Sequence, residues 1–82
     1  MDGERHDFEY IHISWNGMSK SGKTNRYMVS ANRDSAILGE VVWSGRWRQY
    51  VFAPKDYTSY SAGCLCDVAD FLADCTSGHR AR

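Results

Sequence analysis

The sequence predicts an α+β fold, namely an antiparallel β-meander of three to four strands with one C-terminal α-helix packed on one face. Apolar and polar residues alternate in four segments before residue 54, as in strands with one buried face. The segment after them instead repeats apolar residues at helical spacing. A meander covered by the helix is the simplest arrangement for elements in this order.

Turn-forming residues separate the predicted strands, which cover residues 8–15, 25–31, 37–43 and 47–53. Residues 44–46 predict a three-residue hairpin in which Gly45 supplies a positive φ. Pro54 ends the last strand, because proline cannot donate a hydrogen bond to the ladder.

A helix is predicted over residues 61–75, where apolar residues recur at i, i+3, i+4 and i+7. The stripe comprises Leu65, Val68, Ala69 and Leu72, and it is widened by Cys64, Phe71 and Cys75. Ser59 or Ser61 is expected to cap the start of this helix, and Gly78 is expected to stop it.

The 82 residues predict a single small domain. It comprises a polar tail (1–7), the meander (8–54), the helix (61–75) and a basic tail (79–82). No apolar run approaches the roughly 20 residues of a membrane span, and the polar N-terminus does not resemble a signal peptide. Three clustered cysteines indicate a reducing compartment. We expect a cytoplasmic protein without membrane contact, either a monomer or a homodimer built on edge strands.

Ten basic and ten acidic residues give zero formal net charge, but the charges are segregated along the chain. Residues 1–9 carry one base and four acids, and residues 20–55 carry seven bases and two acids. Residues 56–75 carry four acids and no base, and two arginines follow in the tail. The surface is therefore expected to have a basic region and an acidic region.

Residues 17–24 match the phosphate-binding pattern G-x-x-x-x-G-K-[ST] at every position. That loop needs a helix directly after it, because the helix N-terminus supplies part of the attraction for phosphate. Here the following segment alternates like a strand, which predicts a hairpin tip instead of a nucleotide-hydrolysing site. Lys20, Lys23 and Arg26 remain candidates for contact with phosphate.

No catalytic residue, cofactor or metal site is predicted. Cys64 and Cys66 would point about 200° apart on a helix, so they could not share a zinc ion. Cys75 and His79, four residues apart, could share a metal ion, which the sequence leaves open. No serine or cysteine lies in a known nucleophile pattern.

Two surfaces are candidates for partner binding. The first, the hairpin patch, contains the residue types that anchor protein interfaces and also stack on single-stranded nucleic acid. It comprises Trp43, Arg46, Trp47, Arg48 and Tyr50. The alternative is that most of its aromatic side chains fill the small core and only its arginines lie at the surface. The second, the acidic ridge on the polar side of the helix, suits a basic partner. It comprises Asp67, Asp70 and Asp74.

Residues 43–54 follow the pattern W-x-G-x-W-R-x-Y-x-F-x-P, and residues 63–72 follow G-C-L-x-D-[IV]-A-x-F-L. Together they resemble a small domain common in phage and prophage genomes, over about residues 25–74. The resemblance implies a mobile-element origin, and some such accessory proteins block host defences such as CRISPR–Cas effectors. It carries over no catalytic residue.

We therefore expect a non-enzymatic phage or mobile-element accessory protein that binds a host protein, with a nucleic-acid-binding defence effector as the target. In this hypothesis the acidic ridge occupies a site built for phosphates, and the hairpin patch anchors the contact. The alternative is a small single-stranded nucleic-acid-binding module. It would use the basic residues Lys20, Lys23, Arg26, Arg46 and Arg48.

Overall fold

The computed structural model describes residues 5–80, with side chains described up to Gly78. Five strands precede one helix: β1 (Arg5–Asp7), β2 (Ile11–Met18), β3 (Asn25–Ala31), β4 (Ile37–Ser44), β5 (Gln49–Pro54) and α1 (Ala62–Arg80). Of the predicted tails, residues 1–4 of the polar tail and 81–82 of the basic tail lie outside the described residues. Within the described range, no helix is long and apolar enough to cross a membrane.

The strands form one antiparallel sheet in the order β1 to β5, which confirms the predicted α+β meander with a C-terminal helix. The sheet has five strands, one more than the predicted upper number. The additional strand is β1, which pairs with β2 so that His6 lies opposite Ile13. The sequence predicts these three polar residues as part of the tail, because so short a segment shows no alternation.

One face of the sheet carries the core. Four aliphatic side chains on β2, β3 and β4 are completely buried there: Ile11, Ile13, Val29 and Val41. Helix α1 covers this face, and its apolar stripe buries Val68 and Phe71 against them. The predicted packing of the helix on one face of the sheet is thus confirmed.

Aromatic rings fill much of the space between α1 and the sheet. Phe71 meets Tyr27 edge to face, with 4.9 Å between the ring centroids. Trp43 and Tyr50 meet in the same way at 5.4 Å. Such pairs add about 0.5–1.5 kcal/mol each beyond the burial of their area. These four rings are therefore part of the core.

The opposite face of the sheet, which we call the open face, is not covered by the helix, as is common in antiparallel sheets. Arg26 and Glu40 lie on it on adjacent strands and form an ion pair of 2.6 Å. Val42 and Val51 are direct cross-strand neighbours on this face and are half-buried. The open face is thus mixed in character, with its central charges paired.

The free edge of β5 is protected against pairing with another strand. The N–H of Tyr50 points away from β4 and donates to Thr76 Oγ1 at 3.0 Å. Backbone N–H directions alternate along a strand, so the backbone nitrogens of Phe52 and Pro54 face the same edge as that of Tyr50. Proline has no N–H to offer there. Covering an edge with a helix and ending it with proline are common ways to prevent edge-to-edge association.

The turn between β4 and β5 has four residues, 45–48, and not the predicted three. Arg48 donates its N–H to the carbonyl of Ser44 at 2.7 Å and has a φ of 56°. Gly45 does not have a positive φ, so its predicted role was wrong. The left-handed residue stands at the end of the turn, where the sequence offers no glycine to reveal it. Trp47, predicted to begin the strand, lies in this turn.

Helix α1 is capped as predicted, because Ser61 Oγ accepts a hydrogen bond from the N–H of Cys64 at 3.2 Å. Its end differs, since the helix continues through Gly78 to Arg80. In the first turn, Gly63 lies directly against the ring of Tyr10. A Cβ built on Gly63 would come within 2.7 Å of Tyr10 Cδ2, so any larger residue at this position must displace the Tyr10 ring.

We expect Gly63→Ala to lower the free energy of unfolding by about 1–3 kcal/mol, because the added methyl group must displace the Tyr10 ring. Gly78→Ala is the matched control, since a Cβ there meets nothing within 4 Å. The control should gain up to about 1 kcal/mol from helix propensity. Urea denaturation followed by circular dichroism measures both. Stabilisation by both substitutions would show that Tyr10 does not pack on the helix.

Candidate binding surfaces at the basic tip and the β5 groove

Two turns of the sheet lie at one end of the molecule, the β2–β3 loop (19–24) and the β4–β5 turn (45–48). Two strand spacings separate them, which is about 10 Å. The C-terminal end of α1 lies there too, because Gly78 and Lys23 line the same small cavity. We call this end the basic tip. Its exposed residues include Lys20, Lys23, Arg46, Trp47 and Arg48.

Tyr50 and Asn25 fix the parts of the basic tip relative to one another. The N–H of Asn25 donates to Tyr50 Oη at 3.2 Å, and Asn25 Oδ1 accepts from Trp15 Nε1 at 3.1 Å. The N–H of Tyr50 is itself bonded to Thr76 near the end of α1. The base of the β2–β3 loop, the start of β5 and the helix end therefore form one hydrogen-bonded unit.

The structure divides the predicted hairpin patch. Tyr50 is 6% exposed and Trp43 is half-buried beneath α1, so both act in the core and not as surface anchors. Arg46, Trp47 and Arg48 remain together at the surface, with Trp47 65% exposed. The patch predicted by composition was too large, because the sequence did not show which side of β5 the helix covers.

The segment with the phosphate-loop pattern, residues 17–24, leads into strand β3 and not into a helix. Several of its backbone donors are used within the loop. The N–H groups of Ser19 and Gly22 donate to carbonyls of Thr24 and Ser19 at 2.8 and 2.9 Å, and that of Lys23 donates to Ser21 Oγ at 3.3 Å. These three amides are therefore not available to an anion, and the loop would contribute to anion binding mainly through its lysine side chains.

Lys20, Lys23 and Arg26 do not form one site. Lys20 and Lys23 are exposed on the β2–β3 loop, and Lys23 borders the cavity beside α1. Arg26 lies on the open face, where its guanidinium is paired with Glu40. The fold thus separates Arg26 from the other two residues predicted to contact phosphate, because alternation along β3 turns it to that face.

The acidic ridge is present along one side of α1, but its members differ in surroundings. Asp67 is half-buried, and its Oδ2 accepts the N–H of Tyr10 at 3.3 Å, which ties the β1–β2 turn to the helix. Asp70 and Asp74 are exposed, and Asp74 borders the same cavity as Lys23. Two carboxylates, and not three, are therefore fully available to a partner.

A groove that the sequence did not predict runs between β5 and α1, with a volume of about 710 Å³. We call it the β5 groove. Its lining is mainly apolar, with hydroxyls and Gln49 at one end: Trp47, Gln49, Tyr50, Val51, Phe52, Ala69, Leu72, Ala73, Thr76 and Ser77. Ala69 was predicted to face the core as part of the apolar stripe but is exposed, and Ala73 gave no sequence signal, because alanine is common on solvent-facing sides of helices.

Titratable and metal-binding groups give little indication of chemistry. Among the described side chains, no group of histidine, cysteine and carboxylate residues could hold a metal ion. The pair of Cys75 and His79 is not covered by this statement, because the side chain of His79 lies outside the described ones. Cys64, Cys66 and Cys75 are free thiols, and Cys64 and Cys75 pack against the core as expected. A hydrogen bond to the Glu9 carboxylate, reinforced by its charge, raises the pKa of Tyr10.

No protein-family model, curated protein or solved structure matches this chain. Two of its surfaces combine exposure with a defined shape or charge, namely the β5 groove and the basic tip, and Trp47 belongs to both.

We expect Tyr50→Phe to lower the free energy of unfolding by about 1–2 kcal/mol, because the N–H of Asn25 loses its acceptor. Tyr57→Phe is the control, since Tyr57 is fully exposed and the loss of its hydroxyl removes only contact with solvent. The control should change stability by less than about 0.5 kcal/mol. Thermal and urea denaturation measure both variants, and equal effects would contradict the role assigned to Tyr50.

Proposed function

We propose that the chain is a small non-enzymatic accessory protein of phage or mobile-element origin, and that it acts by binding a host protein in the bacterial cytoplasm. The observation that carries this proposal is the β5 groove with Trp47 at its rim. The resemblance of residues 43–54 and 63–72 to a phage-encoded domain supports the origin.

The β5 groove is suited to side chains of a folded partner. Its walls are the edge of β5 and the Ala69, Leu72 and Ala73 side of the helix. Because the β5 edge is protected by Thr76 and Pro54, a partner gains most by inserting apolar side chains and least by adding a strand. Tryptophan beside such a pocket is among the residue types that contribute most to protein interfaces.

The charges around the groove would select among partners. Arg46 and Arg48 flank Trp47 in the turn, and Asp70 lies next to Ala69 on the helix. A partner therefore meets positive charge at one end and negative charge along one side, which favours specificity more than affinity. The partner class that we propose is a nucleic-acid-binding defence effector, whose basic surface would contact Asp70 and Asp74.

We expect Trp47→Ala and Ala73→Glu each to reduce partner capture at least about tenfold, because one removes the rim aromatic and the other places a charge in the groove. Ile37→Ala is the control, as Ile37 is 45% exposed but lies outside the groove. The measurement is affinity capture from nuclease-treated host lysate with quantitative mass spectrometry. Capture of the same proteins by all variants, or of none by the wild type, would overturn the proposal.

The choice of a defence effector has its own test. We expect expression of the chain in cells with an active CRISPR–Cas system to raise plaque counts of a targeted phage at least about tenfold, and Trp47→Ala to abolish the rise. Cells without the CRISPR–Cas system provide the control for phage growth. Unchanged plaque counts alongside groove-dependent capture would assign the groove to a partner outside this defence.

A further inference from the structure

The basic tip carries exposed positive charge that plays no part in the function proposed for the β5 groove. Its two turns present Lys20, Lys23 and Arg46 as exposed cations, and within the described residues these three form no ion pair. The nearest part of the acidic ridge is Asp74, beside Lys23. Positive charge therefore exceeds negative charge at this end of a chain whose formal net charge is zero.

The fold gives these cations a defined geometry. The two turns are about 10 Å apart and are held by hydrogen bonds from Asn25 to Tyr50 and from Tyr50 to Thr76. A fixed pair of basic turns suits an extended polyanion that crosses both of them. It suits a single nucleotide less well, because backbone amides of the β2–β3 loop are engaged within the loop.

Trp47 decides which polyanion fits best. It lies in the β4–β5 turn next to Arg46 and is 65% exposed, whereas the aromatic rings Tyr27, Trp43 and Tyr50 lie on the covered face of the sheet. An exposed ring among cations can stack on an unpaired base while the cations contact the phosphates. A sheet-wide stacking platform is absent from the described residues, so one base would stack at a time.

We propose that the basic tip binds single-stranded nucleic acid, with Lys20, Lys23 and Arg46 on the phosphodiester backbone and Trp47 stacked on one base. This site shares Trp47 with the rim of the β5 groove but takes its three cations from outside the groove, and it does not require the host-protein partner. Binding is weak because few phosphates are neutralised, and the slope of log K against log salt is set by the three cations.

The test measures fluorescence anisotropy of a labelled oligothymidylate of about 12 nucleotides, in NaCl from about 20 to 200 mM. We expect the double substitution Lys20→Gln and Lys23→Gln to make the slope of log K against log salt less steep by about 1.4. The matched control is Arg33→Gln with Lys55→Gln, which removes the same charge from exposed positions at the other end of the sheet. The control should leave the slope unchanged.

An equal decrease of the salt slope in the tip and control variants would show a general effect of net charge and would overturn the site. Absence of oligonucleotide binding at the lowest salt would also overturn it. The second part of the test measures how Trp47→Leu changes the affinity for the oligonucleotide and the affinity for inorganic polyphosphate. Loss of affinity for the oligonucleotide alone supports base stacking. Equal behaviour on both ligands would reduce the tip to a phosphate-binding surface and overturn the proposal for nucleic acid.

The two proposals fail independently. Ala73→Glu lies in the groove, whose lining includes none of the three cations Lys20, Lys23 and Arg46, and should leave the salt slope of oligonucleotide binding unchanged. The lysine substitutions lie outside the groove and should leave protein capture unchanged. A less steep salt slope in Ala73→Glu would contradict the separation of the two sites.

Discussion

The buried side chain and backbone of Tyr50 connect parts of the molecule that are distant in sequence. Its hydroxyl holds the start of β3, its ring packs on Trp43, and its N–H is bonded to Thr76 on the helix. Both candidate surfaces depend on this arrangement. The basic tip needs its two turns held together, and the β5 groove needs the helix placed beside the edge of β5.

Folding changes the meaning of the charge pattern along the chain. Residues 20–55 are basic as a segment, but the fold distributes their cations over three places. Arg26 lies on the open face, paired with Glu40, and Arg33 and Lys55 lie at the end opposite the basic tip. Only part of the segment therefore forms one basic patch. The position of each cation in the fold predicts the surface charge better than the net charge of the segment does.

The sequence was sufficient to predict the elements with long repeating patterns. Alternation located β2 to β5 approximately, and the stripe of Leu65, Val68 and Leu72 located the helix. It could not show which side of β5 the helix covers, and so it left open whether Tyr50 packs in the core or lies on the surface beside Trp47. The β5 groove could not be predicted from the sequence for a related reason, because it arises only where the helix lies beside the sheet.

The turns of the basic tip contribute little to the core. Their residues 19–23 and 45–48 are exposed or half-buried, and none belongs to the central cluster of buried side chains. Substitutions and short insertions there should be tolerated, as in loops that vary on a rigid scaffold. Descendants of this chain could therefore change what they recognise by altering these two turns, while the sheet and helix beneath them stay the same.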